Sequence, residues 1–144
     1  MRKILISTLF LGIIIGFTGC SKDDDEPAVV VTKTQLLTKE SWKQVNSEVS
    51  TGGAFTSDWA SWDDCDKDDL TTFKTDKTYQ ATEGATKCNP ADPDLIDEGT
   101  WDFNSDETKL IMDVLSTTIV KLDETDLIIT FKYGVNEFRI SFKH

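Results

Sequence analysis

From Ser41 to Phe142 the chain alternates apolar and polar residues in short runs, and polar turns separate these runs. A period of two residues is typical of β-strands with one buried face, whereas an amphipathic helix repeats every three to four residues. The runs are 42–50, 70–74, 78–82, 101–103, 110–115, 117–122, 127–133 and 138–142. The pattern therefore predicts an all-β domain of eight strands.

The connections between these runs restrict how the strands can pair. The turns at 75–77 and 123–126 span only a few residues, which is too short for a crossover helix. Neighbouring strands must therefore run antiparallel, in a meander. A single open sheet would leave its apolar face in water, so the sheet must close on itself or split into a sandwich. Sequential short connections favour an antiparallel eight-stranded up-and-down barrel.

Residues 1–19 have the layout of a cleaved export signal. Arg2 and Lys3 precede an almost unbroken apolar run over 4–17. As a helix this run would be about 21 Å long, shorter than the ~30 Å hydrocarbon core of a bilayer. The segment therefore predicts a signal peptide rather than a membrane-spanning anchor. Its end at 17–20 resembles a bacterial lipoprotein box, which implies that Cys20 carries acyl chains such as palmitate and attaches the protein to a membrane.

Residues 20–34 follow as an acidic tether. The segment 21–26 contains one lysine and a run of acids that repel one another and remain solvated. It resembles the surface-export signal of a large group of Gram-negative bacteria, which implies display on the outer face of the outer membrane. Retention in the periplasm is the alternative.

The charge and the scarcity of histidine argue against two functional classes. The formal net charge is −11, and binding of nucleic acid relies on Lys and Arg that neutralise phosphates. The only histidine is His144, and no Ser–His pair, Cys–His pair or phosphate-binding glycine loop is present. We therefore expect neither nucleic acid as a partner nor enzymatic activity.

Cys65 and Cys88 remain once Cys20 is assigned to the lipid. In an exported domain such a pair is more often bridged than free. A two-cysteine metal site would lack its other ligands. The sequence therefore predicts a Cys65–Cys88 disulfide, worth about 3 kcal/mol in the chain-entropy description.

A series of motifs resembles the lipocalin-like domain of bacterial outer-membrane lipoproteins. In chain order the matching residues are Leu36, Leu37, Trp42 and Lys43; 63–69; Leu70, Phe73, Asp76, Thr78 and Tyr79; 83–88; and Gly99, Trp101 and Phe103. The resemblance implies a lipocalin-like barrel over 35–144 and little about function. One position departs from the pattern, because Glu40 stands where lipocalins usually carry the glycine that lets the chain pass under the barrel floor.

Aromatic residues on expected inward positions form the candidate ligand site: Trp42, Trp101, Phe103, Phe131, Tyr133 and Phe138. In a barrel of this size such side chains either fill the interior or line a pocket for a small, partly apolar ligand. An apolar interior cavity larger than about 300 Å³ would favour the pocket. Both interpretations remain open at this point.

The polar loop between the first two long runs offers a second candidate site. Trp59 and Trp62 lie beside acids and suit contact with a sugar face or a partner protein, if the barrel is filled; a lid over one barrel mouth is the alternative. Asp64, Asp66 and Asp68 have the spacing of the first calcium ligands of an EF-hand, but the glycine and the terminal glutamate are absent. A looser calcium site remains the only cofactor hypothesis, against a solvated acidic loop.

Overall fold

The computed structural model describes residues 30–144, and regular structure in this range is almost entirely β-strand. The elements are α1 (Lys33–Leu37), β1 (Trp42–Ser50), β2 (Thr56–Ser57), a 3-10 turn (Trp59–Ser61), β3 (Leu70–Phe73), β4 (Thr78–Thr82), β5 (Leu95–Phe103), β6 (Lys109–Met112), β7 (Leu115–Leu122), β8 (Asp126–Tyr133) and β9 (Asn136–Lys143). The prediction of an all-β domain is confirmed. The predicted signal peptide, Cys20 and most of the tether lie outside the described residues.

Neighbouring strands pair antiparallel in chain order, and the first strand returns to the last. The segment of β1 from Lys43 to Ser50 pairs with β9, which closes β1 and β3–β9 into an eight-stranded up-and-down barrel. β2 adds a short pairing to the end of β1. Glu40 therefore does not prevent closure.

Helix α1 begins at a capping box, in which the Thr32 hydroxyl accepts a hydrogen bond from the Gln35 N–H and the Gln35 side chain accepts one from the Thr32 N–H. This reciprocal pair of hydrogen bonds with Gln35 makes Thr32 the N-cap. Leu37 is fully buried, and its carbonyl accepts a hydrogen bond from Trp42 Nε1 at 2.9 Å. The helix thus lies at the end of the barrel where β1 begins. No helix within 30–144 has the length and apolarity to span a bilayer.

The buried core consists of one side chain from α1 and of inward side chains from β1, β3–β6 and β8. Its buried members are Leu37, Trp42, Phe73, Tyr79, Trp101, Leu110, Leu127 and Ile129. Trp101 packs edge-on against Phe73, with ring centroids 5.9 Å apart, and its Nε1 donates to the Lys74 carbonyl. Burial of each large apolar side chain contributes about 1.5–3 kcal/mol.

The predicted run 110–115 is not one strand. β6 ends at Met112, the chain reverses through Asp113 and Val114, and β7 begins at Leu115, opposite Met112. Asp113 has φ 48°, a left-handed conformation that aspartate tolerates better than most residues. The reversal places Met112 and Leu115 on the same face, so the alternation of the sequence changes phase at the turn.

Candidate functional site

The barrel contains a partly open cavity of about 390 Å³. Its lining comes from β3–β9 and the β6–β7 turn: Thr71, Phe73, Tyr79, Ala81, Asp97, Met112, Asp113, Val114, Leu115, Leu127, Ile129 and Phe142. This volume lies within the range of small-molecule sites. Of the two interpretations that the sequence left open, the structure therefore favours the barrel with an unfilled interior.

The lining divides into a buried wall and an exposed mouth. Phe73, Leu127 and Ile129 are buried members of the core, so the inner part of the cavity is apolar and built from packed side chains. Asp97 and the β6–β7 turn are exposed. The cavity therefore opens to solvent beside Asp97 and this turn.

Tyr79 connects the wall to the mouth. Its ring is buried, and its hydroxyl lies 3.0 Å from Asp97 Oδ2 and 3.1 Å from Asp113 Oδ2. Desolvation, together with the hydrogen bonds to the two carboxylates, raises the pKa of Tyr79 above its ordinary value. The hydroxyl is thus a neutral donor at physiological pH, with one proton to share between two carboxylates.

Asp113 is held in place by its neighbours on β5. Its Oδ1 accepts hydrogen bonds from the Thr100 N–H at 2.9 Å and the Thr100 hydroxyl at 3.0 Å. These bonds lower the pKa of Asp113, so its carboxylate is charged at neutral pH. A Cβ atom on Gly99 would overlap the Asp113 carboxylate. Glycine at position 99 therefore leaves the space in which this carboxylate lies.

Among the described residues, the two carboxylates at the mouth have no cationic neighbour. Within residues 30–144, no Lys, Arg or His nitrogen lies within 4.0 Å of an Asp97 or Asp113 carboxylate oxygen. The lining itself contains no basic residue. The mouth is therefore negatively charged, while the wall behind it is apolar.

The six aromatic residues predicted for the ligand site lie outside this lining. Trp42 and Trp101 are fully packed in the core, and Phe103 packs on Trp101 with ring centroids 5.4 Å apart. Phe131 and Phe138 stack on each other, also with centroids 5.4 Å apart.

Tyr133 requires a correction. It was expected to face inward, but its side chain is 78% exposed. Tyr133 is the last residue of β8, where the strand passes beyond the core, so its alternating position no longer implies burial.

Most of the residues that line the cavity lie in predicted strands, whereas Asp97 lies outside the predicted runs. Phe142, which the alternation also predicts to face inward, does line the cavity. Tyr79 occupies an alternating position that predicts an inward face, which is the signal that could have found it. Asp97 and Asp113 carry no such signal, because neither stands out among the 26 acidic residues of the sequence.

The predicted disulfide is confirmed. Cys65 and Cys88 are bridged, with Cα atoms 5.1 Å apart and a sequence separation of 23 residues. The bridge joins the acidic loop 58–69 to the loop 83–94 that connects β4 with β5.

The acids predicted as calcium ligands have separate partners. Asp64 pairs with Lys67 at 3.1 Å, and Asp68 Oδ2 accepts bonds from the Thr86 N–H and hydroxyl, which lower the pKa of Asp68. Among the described residues, the one close group of three potential ligands comprises Asp66 and the two sulfurs of the disulfide, which are not free thiolates. The structure does not bring the three carboxylates together, and calcium binding stays a prediction.

Trp59 and Trp62 are brought together, with ring centroids 5.4 Å apart. Trp59 is half-buried and Trp62 is 36% exposed. The Asp58 N–H donates to the Ser47 carbonyl at 3.1 Å, which fastens the start of this turn to β1. The loop therefore lies against the barrel.

In comparisons with known proteins, neither a protein-family model nor a curated protein matches this chain. The likeness to lipocalin-like lipoprotein domains thus stays a prediction from the motifs. The strand order itself establishes the barrel.

Proposed function

We propose that this protein is a lipid-anchored lipoprotein whose barrel binds a small, partly apolar molecule in its interior cavity. The observation that carries the proposal is the cavity of about 390 Å³ with a buried apolar wall. Burial of apolar ligand surface against such a wall is favourable by about 25 cal/mol per Å². The closed barrel presents this wall preformed, which reduces the entropic cost of binding.

We propose binding rather than catalysis. The titratable residues of the lining are Tyr79, Asp97 and Asp113. Tyr79 is a neutral donor and Asp113 is a charged acceptor at neutral pH, so neither suits proton transfer there. The lining holds no His, Cys, Lys or Ser that would serve as base or nucleophile.

A titration with a neutral fluorescent probe tests the binding site. N-phenyl-1-naphthylamine added to the purified chain should show a saturable rise in fluorescence. Ala81→Phe should abolish the rise, because Ala81 lines the cavity and a ring there occupies the ligand's space. Leu115→Phe likewise places a ring in the ligand's space, but at the exposed mouth, where added volume disturbs the fold less.

Ala54→Phe is the matched control, because Ala54 lies in an exposed loop. Binding that survives both cavity variants, or that is lost equally in the control, would contradict the proposal. Absence of saturable binding by the natural chain would also contradict it, and would favour the alternative of a protein- or glycan-binding module that uses the Trp59–Trp62 loop.

The anchor is a separate part of the proposal and has its own support. The apolar segment 4–17, the lipoprotein-box resemblance at 17–20 and the acidic tether support acylation of Cys20 and display on the outer membrane surface. In a Gram-negative host, the chain should incorporate labelled palmitate, and Cys20→Ala should abolish labelling. Protease added to intact cells should degrade a surface-displayed chain and spare a periplasmic one.

A further inference from the structure

We propose that the ligand of the cavity is a small organic cation, with an ammonium group at the mouth and an apolar body inside the barrel. This inference rests on the proposed binding function and specifies the chemistry of the ligand. It follows from the juxtaposition of Asp97 and Asp113 at the opening of an apolar cavity that contains no basic residue.

The hydrogen bonding at the mouth leaves acceptors unfilled. Asp97 Oδ2 and Asp113 Oδ2 both face the Tyr79 hydroxyl, which can donate to only one of them at a time. An ammonium group carries several N–H donors and no acceptor, so it can satisfy the carboxylate oxygen that Tyr79 leaves free. A charge-assisted bond of this kind is stronger than one between neutral groups.

The electrostatics of the mouth favour the same ligand. Several other aspartates of the barrel have lysine partners, such as Asp102 with Lys77 at 3.0 Å and Asp126 with Lys121 at 2.7 Å. Asp97 and Asp113 have none within residues 30–144. The apolar wall behind them lowers the local dielectric constant and strengthens the attraction of a cation held there.

The placement of Asp113 is specific to this mouth. Its carboxylate occupies the space that a side chain on Gly99 would fill, and Thr100 holds its other oxygen. The β6–β7 turn that carries Asp113 adopts a left-handed conformation at this residue. β5 and the β6–β7 turn thus place this charge at the opening of the cavity.

Three ligands with the same alkyl chain and different head groups test the proposal. Octylammonium, octanol and octanoate are used to displace N-phenyl-1-naphthylamine from the purified chain at neutral pH. We expect octylammonium to bind about tenfold more tightly than octanol, and octanoate to bind least. In the double variant Asp97→Asn, Asp113→Asn, octylammonium and octanol should bind within about twofold of each other.

The control variant Glu40→Gln, Glu124→Gln removes the same charge from two exposed positions outside the lining, and it should keep the preference for octylammonium. Loss of the preference in this control would show general attraction to an acidic protein and would overturn the proposal. If the double variant Asp97→Asn, Asp113→Asn does not fold, the comparison of octylammonium with octanol on the natural chain still tests the proposal. Equal displacement by octylammonium and octanol overturns the cation proposal but leaves the cavity as a ligand site, whereas failure of the probe to bind overturns both.

Discussion

The acidic loop 58–69 and the pair of Asp97 and Asp113 at the cavity mouth differ in one respect. Acids that are close in the sequence are not held together in the loop, whereas acids that are distant in the sequence are held together at the mouth. The loop holds six aspartates close together in the chain. Two of them, Asp64 and Asp68, nevertheless bind separate partners, Lys67 and Thr86. Asp97 and Asp113 belong to different hairpins, and yet their carboxylates meet at a single hydroxyl.

This difference shows that density of acids in a sequence does not by itself create a site. Acids that are neighbours in an exposed loop can turn apart and find lysines, hydroxyls or water, which relieves their repulsion. Asp97 on β5 and Asp113 in the β6–β7 turn are instead brought together by the pairing of β5 with β6 and of β6 with β7. A site for a ligand therefore arises where the fold imposes the proximity.

The largest effect is expected from removal of the disulfide, which holds the acidic loop but not the mouth. The double variant Cys65→Ser, Cys88→Ser should lose about 3 kcal/mol of unfolding free energy, because the bridge restricts the unfolded chain. Urea denaturation measures this loss. Affinity for N-phenyl-1-naphthylamine should stay within about twofold of the natural chain, and a larger change would show that the loop and the cavity are coupled.

Two glycines provide a matched test of the two regions. A Cβ on Gly84 would overlap the backbone of Asp68, so Gly84→Ala should cost about 1–3 kcal/mol through displacement of the loop. The three atoms nearest to a Cβ on Gly99 all belong to the side-chain carboxylate of Asp113, which can move at the cost of its hydrogen bonds to Thr100. Gly99→Ala should therefore cost less stability and yet weaken octylammonium binding, as denaturation and probe displacement would show. The reverse order of stability loss would contradict this assignment.

The change of folding stability between neutral and acidic pH should differ from one aspartate to another. The pKa values of Asp68 and Asp113 are lower in the folded chain than the ordinary value of 3.8, so each carboxylate stabilises the fold above that pH, and the contribution is lost as the pH falls through its folded value. Burial raises the pKa of Asp69, which therefore costs stability at neutral pH, and acidification relieves that cost.

Melting temperatures recorded from about pH 7 to about pH 2 test these signs. Thr100→Val removes one donor to Asp113 and should reduce the loss of melting temperature on acidification. Asp69→Asn should raise the melting temperature at neutral pH and have little effect in acid. If the melting temperature of Thr100→Val falls more steeply on acidification than that of the natural chain, the bond to Thr100 is not what lowers the pKa of Asp113.

The smallest effect concerns calcium and the exposed acids. Because Asp64, Asp66 and Asp68 do not converge, millimolar calcium should not raise the melting temperature of the chain. Asp64→Asn should likewise leave the midpoint of urea denaturation unchanged, since its ion pair with Lys67 is exposed. A calcium-dependent rise that Asp64→Asn removes would instead support the looser calcium site.

The strands were largely predictable from the sequence. β1 and β4 begin and end at the predicted residues, because apolar alternation and polar turns both mark their ends. The turn at Asp113 and Val114 was missed, because the alternation continues across it without a glycine or proline to mark the reversal. The structure pairs Met112 with Leu115, so the inward-facing residues are even-numbered before the turn and odd-numbered after it.

The candidate site was less predictable than the strands. The large aromatic residues on inward positions indicated the ligand site, but Trp42 and Trp101 are packed in the core. Smaller residues such as Ala81 and Thr71, paired across β3 and β4, leave the space that becomes the cavity. Side-chain periodicity reports which face is buried and does not report which part of that face is filled.

The sequence by itself determined the strand rhythm, the antiparallel meander and the disulfide, because each depends on local patterning or on two remaining cysteines. Closure of β1 onto β9, the unfilled volume and the meeting of Asp97, Tyr79 and Asp113 were decided only by the tertiary structure. The physical reason is that these features depend on how residues far apart in the chain occupy one shared interior.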